Sequence, residues 1–149
     1  MELPQFLVAA KTGTYASNGE ANEQKLPDGS LELTYNAGEF SYRDRYFGFD
    51  PFVGQEIVFQ NGQPIWSMNY YGRIVDQKFP GAQVYPFLLK ALQQVTPERP
   101  FRGPSTFAEG RFMYNDESTG TLENFSGVER ILFNRHKVYI LKYHGGMLK

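Results

Sequence analysis

Four carboxylates of this chain stand at matching places in two related stretches. Residues 52–75 read FVGQEIVFQNGQPIWSMNYYGRIV and residues 125–148 read FSGVERILFNRHKVYILKYHGGML. Aligned without a gap, six of the 24 positions are identical: Phe52/Phe125, Gly54/Gly127, Glu56/Glu129, Asn61/Asn134, Tyr70/Tyr143 and Gly72/Gly145. About one or two identities would be expected from average composition. Just upstream, GEFSYRDRYFG (38–48) matches GRFMYNDESTG (110–120) at five of 11 positions, which pairs Asp44 with Asp116. Two glutamates and two aspartates in repeated positions could line a central pocket and serve as acid and base. The alternative is structural: each acid bonds backbone amides or a tyrosine hydroxyl and holds its own turn, the commoner fate of such groups.

Other groups with chemical potential are fewer. The two histidines are His136, in the turn NRHK, and His144, in KYHGG. His144 aligns with Tyr71 and shares a strand face with Lys142. With Asn69 it is a secondary candidate for an acid–base or anion contact, although a surface role is the commoner one. No paired histidine spacing suggests a metal, and no metal or cofactor is expected. Arg102, between Phe101 and Gly103-Pro104, could clamp a carboxylate or phosphate, or tie its loop to an acid of the sheet. Trp66, Tyr70 and Tyr71 could wall a ligand, though such a stripe more often packs a core. The chain has no G-x-S-x-G elbow, no phosphate-binding GxxxxGK[ST] and no GxGxxG after a strand.

The elements that must position these groups follow from periodicity. Residues 4–12 predict a short helix, with Pro4 in its first turn and Phe6, Leu7 and Ala10 at helical spacing. Residues 17–30 are polar and predict a loop. Strands are expected at 31–36, 39–47, 55–60 and 63–74, with Asn61-Gly62 as a strong hairpin turn. Pro64 weakens the last strand's start or places it on an edge. A second helix is expected over 85–95, then an irregular connector at 97–107. Strands follow at 111–116, 121–125, 128–134 and 137–144. The expected fold is α+β: a helix-plus-meander unit repeated over about 1–76 and 77–149. Its two halves would share one curved antiparallel sheet of seven or eight strands with two helices. Alternation puts Phe40, Tyr42 and Asp44 on one face, with Glu56, Val58, Trp66, Met68 and Tyr70 and their counterparts in the second half. Being apolar overall, this face is the core side, so its carboxylates must be paired, hydrogen-bonded or protonated.

Composition narrows the classes. A chain of 149 residues is one domain by length. Its net charge of −1 argues against nucleic-acid binding by this chain alone. It has no cysteine, hence no disulfide or thiolate chemistry, which is compatible with the cytoplasm. No membrane partner is expected, since no apolar run approaches a span and the N-terminus lacks signal-peptide features.

The FLVAAK-TGTYA opening, the YRDRYFG segment, the PIWSMNYYG strand, the FRGP connector and the C-terminal YHGG together resemble a bacterial domain family of unknown function. The resemblance covers roughly residues 5–148, and W-x-M-N-Y-x-G is its most specific motif. Members of that family occur alone or C-terminal to a phage-repressor-type helix-turn-helix, which implies a sensor or effector role. No such DNA-binding segment is expected here, because the domain already begins at the fourth residue. Gly48 is followed by Phe49-Asp50 where the resemblance implies a more glycine-rich turn. It implies no catalytic residues.

The leading expectation is a small-molecule-binding or regulatory module without catalysis, its ligand lined by Tyr42, Glu56, Trp66, Tyr70, Arg102, Tyr114, Glu129 and Tyr143. An enzyme using Glu, Asp and Tyr acid–base chemistry is the second option. A protein-interaction unit or homodimer, pairing through exposed strand edges, is the third.

Overall fold

A computed structural model describes residues 1–17 and 23–149. The first helix, α1 (Leu3–Gly13), begins with Pro4 in its first turn and buries Phe6, Leu7, Ala10 and Lys11 along one stripe. A short 3-10 turn, Tyr15–Ser17, follows. The first meander comprises β1 (Gln24–Lys25), β2 (Leu31–Ala37), β3 (Phe40–Gly48), β4 (Phe52–Gln60) and β5 (Gln63–Ile74). Helix α2 (Gly81–Leu92) leads to the second, β6 (Thr106–Glu109), β7 (Phe112–Thr121), β8 (Asn124–Phe133) and β9 (His136–Met147). All nine strands form one open, curved antiparallel sheet in the order β1-β2-β3-β4-β5-β9-β8-β7-β6. The central pair is β5 and β9, and Tyr70 lies directly opposite Tyr143.

The sheet is α+β as the periodicity implies, with differences at its margins. Strands β1 and β6 fall in segments expected to be loop and connector. Residues 18–22 of that loop lie outside the described residues. Residues 121–125 do not form a strand of their own. Thr121 ends β7 and Asn124 begins β8, paired across a tight turn. Helix α2 starts at Gly81 rather than 85, because a further turn lets Val84 reach the core, and it ends at Leu92 rather than 95. Pro64 sits near the start of a central strand, ahead of Trp66 where pairing with β9 begins, so on that side it has no strand partner among the described residues for the missing N–H. A register shift between Val58 and Phe59 leaves Ile65 as an extra residue beside it, a bulge. No helix among the described residues is long and apolar enough to cross a membrane.

One sheet face is buried under both helices, and its inward residues are those the alternation selects. The repeated identities have physical reasons. Gly54 faces Tyr70 across β4 and β5, and a Cβ there would lie 2.2 Å from the tyrosine Oη. Gly127 faces Tyr143, with a Cβ 2.1 Å from the ring. Phe52 and Phe125 lie over Gly72 and Gly145 in the same manner, with Cζ 2.6 Å and 2.8 Å from the would-be Cβ atoms. Asn61 and Asn134 hold left-handed turns at φ 49° and 48°.

A side chain at Gly127 should therefore push Tyr143 off its seat. Gly127→Ala is expected to cost about 2–4 kcal/mol, from overpacking and a displaced tyrosine hydrogen bond. Urea unfolding measures it, and the cost should shrink when Tyr143→Leu is already present. Equal costs in both backgrounds would mean that the ring does not press on the glycine.

Candidate functional site

Each of the two aligned glutamates, Glu56 and Glu129, ends in a buried cluster. Glu56, on β4, accepts hydrogen bonds at Oε1 from Lys11 Nζ (2.6 Å) and Tyr42 Oη (2.7 Å). Glu129, on β8, accepts four: Arg102 Nε (3.1 Å) and Nη2 (2.9 Å), Tyr114 Oη (2.6 Å) and Tyr139 Oη (2.8 Å). The arginine grip is bidentate, the strongest geometry for this pair. Gly103 lets its loop come this close: its amide donates to Tyr114 Oη (3.0 Å), and a Cβ there would lie 2.6 Å from that oxygen. Both cations come from outside the aligned stretches, a lysine from α1 and an arginine from the connector.

The aspartates form a second tier. Tyr70 Oη donates to Asp44 (2.6 Å), and Tyr143 Oη donates to both oxygens of Asp116 (2.9 and 3.1 Å). Burial pushes the Asp44 carboxyl up to about 8, with Glu56 adding to the rise and the Tyr70 hydrogen bond, Lys11 and Arg102 opposing it. Burial and Glu129 push Asp116 up to about 7 against Tyr143, Arg99 and Arg102. The tyrosines Tyr15, Tyr42, Tyr70, Tyr114 and Tyr139 are held well above their ordinary range by burial first. Burial lowers Lys11, and Glu56 works against that.

The two aspartates part company in what covers them. Asp116 has Arg99 against it, Nη1 lying 3.6 Å from Oδ2. The same arginine bonds Gly103 O, Asp116 O and Ser118 Oγ, pinning the connector there. Asp44 has no ion pair among the described residues and faces an open cleft of about 360 Å³ instead. From α2 come Tyr85, Leu88, Leu89 and Leu92, and from the sheet Leu33, Phe52 and Tyr70. The polar groups buried along it are Asp44, Tyr70, the Tyr15 hydroxyl, which has no hydrogen-bond partner among the described residues, and Arg102, whose guanidinium lies 5.4 Å from the Tyr15 ring and 5.5 Å from the Tyr70 ring. At the rim Tyr46 Oη donates to Glu23, and Phe49 packs edge-on to Tyr85 with ring centroids 5.1 Å apart.

Of the eight candidates for a lining, Tyr70 and Arg102 line the cleft. Tyr42, Glu56, Trp66, Tyr114, Glu129 and Tyr143 lie in the interior beside it, each at most 2 % exposed. Trp66 stacks on Phe125 at 5.6 Å, with Lys11 Nζ 5.5 Å from its ring. Asn69 and His144 face each other on the opposite side of the sheet, where Asn69 bonds Gln55. His136 pairs with Asp76 at the surface (3.0 Å). Among the described residues no His, Cys, Asp and Glu side chains gather as a metal site would require. The periodicity reading missed Lys11 and the α2 wall. Lys11 was detectable as a charge on the buried stripe of α1.

The chain matches the model of a family described as "Domain of unknown function (DUF5680)" over residues 44–148. Neither the curated proteins nor the solved structures contain a match.

Proposed function

Since the chain belongs to the family described as "Domain of unknown function (DUF5680)", membership assigns it no activity, and we propose from its geometry that it is a small-molecule-binding module. The observation that carries this reading is the cleft between α2 and strands β2–β5. It combines an apolar, aromatic wall with a few buried polar groups, the composition of ligand sites generally, and its volume of about 360 Å³ suits a small metabolite. A sensor-like role, in which occupancy changes how the domain acts on a partner in the bacterial cytoplasm, is the form that the family resemblance supports.

A thermal-shift screen of the purified chain against metabolites tests the reading. A ligand at 100 times its Kd adds about 2.7 kcal/mol, which raises the midpoint by roughly 5–10 °C at this size. Leu89 lines the cleft and is only half-buried. Leu89→Trp should fill the cleft and abolish the shift without unfolding the protein. A shift that survives Leu89→Trp would place the ligand elsewhere and overturn the assignment.

One observation favours a second reading. Asp44, with its carboxyl pushed up to about 8, lies beside an accessible space, and such a group can give and take a proton near neutral pH. Turnover of a cleft ligand that Asp44→Asn abolishes, with ligand binding retained, would turn the binding module into an enzyme.

A further inference from the structure

We infer that the cleft takes an organic cation, an amidinium, guanidinium or ammonium head on an apolar body, with the head paired to Asp44. The inference rests on the binding-module reading and specifies its ligand. Charge pairing around the cleft points this way. Lys11 is committed to Glu56 and Arg102 to Glu129, so the two buried cations are already neutralised. Asp44 is left over, with the Tyr70 hydroxyl as its hydrogen-bond donor and no cation against it among the described residues. Its counterpart in the repeat shows what such a carboxylate accommodates: Asp116 has the Arg99 guanidinium 3.6 Å away. At Asp44 no such group stands among the described residues, and the cleft lies open instead.

The walls agree with the charge. Tyr70, Phe52 and Tyr85 form a connected aromatic surface, with centroid separations of 6.0 Å (Phe52–Tyr70) and 5.8 Å (Phe52–Tyr85). Ring faces attract cations, and the same rings shield the apolar remainder of the ligand from water. Among the described residues, the other charged group at the mouth is Glu23, also an acid. An anionic ligand would enter between two carboxyl groups and find Arg102 already gripped by Glu129.

Three near-isosteric probes decide the matter: benzamidine hydrochloride, benzamide and sodium benzoate. Each is titrated into the full chain by calorimetry at about pH 9, where the Asp44 carboxyl, pushed up to about 8, is ionised, and up to about 10 mM, enough to register a millimolar Kd. Benzamidine should bind at least about tenfold more tightly than either of the others, the usual margin for a charge-assisted hydrogen bond. Asp44→Asn should weaken benzamidine by a similar factor and leave benzamide unchanged, and Leu89→Trp should abolish binding. Benzamide or benzoate binding as tightly as benzamidine, and blocked by Leu89→Trp, would overturn the cation assignment while leaving the cleft a ligand site. No binding of any probe to the unaltered chain would also overturn it, and the metabolite screen then decides the binding-module reading by itself. The comparison among probes needs no variant, so it stands even where Asp44→Asn disturbs folding.

Discussion

Replacing Arg102 with leucine is expected to destabilise the protein by about 3–5 kcal/mol, a large part of the stability of a domain this size. The guanidinium is 3 % exposed and Glu129 is fully buried. Removing the arginine leaves the carboxylate with only the Tyr114 and Tyr139 hydroxyls, in a place water does not reach. The loss comes less from the attraction that disappears than from the charge left without a partner. Glu129→Leu alone should be damaging for the converse reason, since the guanidinium is then stranded. The double replacement Arg102→Leu/Glu129→Leu should recover much of either loss, because two apolar groups replace two charges and no ion remains unpaired. Urea unfolding of the four proteins gives the coupling energy directly. Additive losses would mean that Glu129 relaxes to another donor once Arg102 is gone.

This cluster also marks how far the residues could be read without coordinates. Alternation along β3, β4, β5 and their counterparts put Tyr42, Asp44, Glu56, Trp66 and Tyr70 on the buried face, because a strand's period of two leaves little choice once the apolar side is known. It could not say which cation meets which acid. Lys11 and Arg102 lie 45 residues before Glu56 and 27 before Glu129. Their pairing depends on where α1 and the connector cross the sheet. The short edge strands β1 and β6 escaped notice for a related reason. Two to four residues carry no readable alternation, and those segments are polar or rich in proline. The cleft was the least legible feature. Glu56, Trp66 and Glu129 have the residue types of a ligand site, yet they lie beneath the space rather than around it. In the second half the connector brings Arg99 onto Asp116 and Phe101 over the sheet, where the first half has the cleft. Phe101 stacks on Phe125 with centroids 4.4 Å apart. No local pattern encodes that route.

The protein should lose stability as the pH rises from about 5 to about 8, opposite to the trend set by salt-bridged acids. Asp44 and Asp116 have folded-state values raised to about 8 and about 7, above the ordinary 3.8. Between the ordinary and raised values the folded chain keeps a proton that the unfolded chain has released. The unfolded state then binds fewer protons, and each group contributes a decline of about 1.4 kcal/mol per pH unit across its window. The contribution is complete below about pH 4 and gone once the pH passes the raised value. Asp28, Asp76 and Glu123, exposed acids held below their ordinary range by hydrogen bonds, act in the other sense and only at the acid end. Lys11 acts in that same sense only on the way up to its ordinary 10.5. Urea unfolding should therefore give its highest midpoint near pH 5. Asp44→Asn and Asp116→Asn should each remove about half of the decline to pH 7, after which only the Asp44 part persists. A flat profile from pH 5 to 8 in the unaltered protein would mean that both aspartates are ionised in the fold, with Lys11, Arg99 and Arg102 compensating them. A cation seated against Asp44 would favour the ionised carboxylate, so benzamidine should flatten the Asp44 share of the slope and leave the Asp116 share intact. That selectivity separates the acid that faces the cleft from the acid that Arg99 already covers.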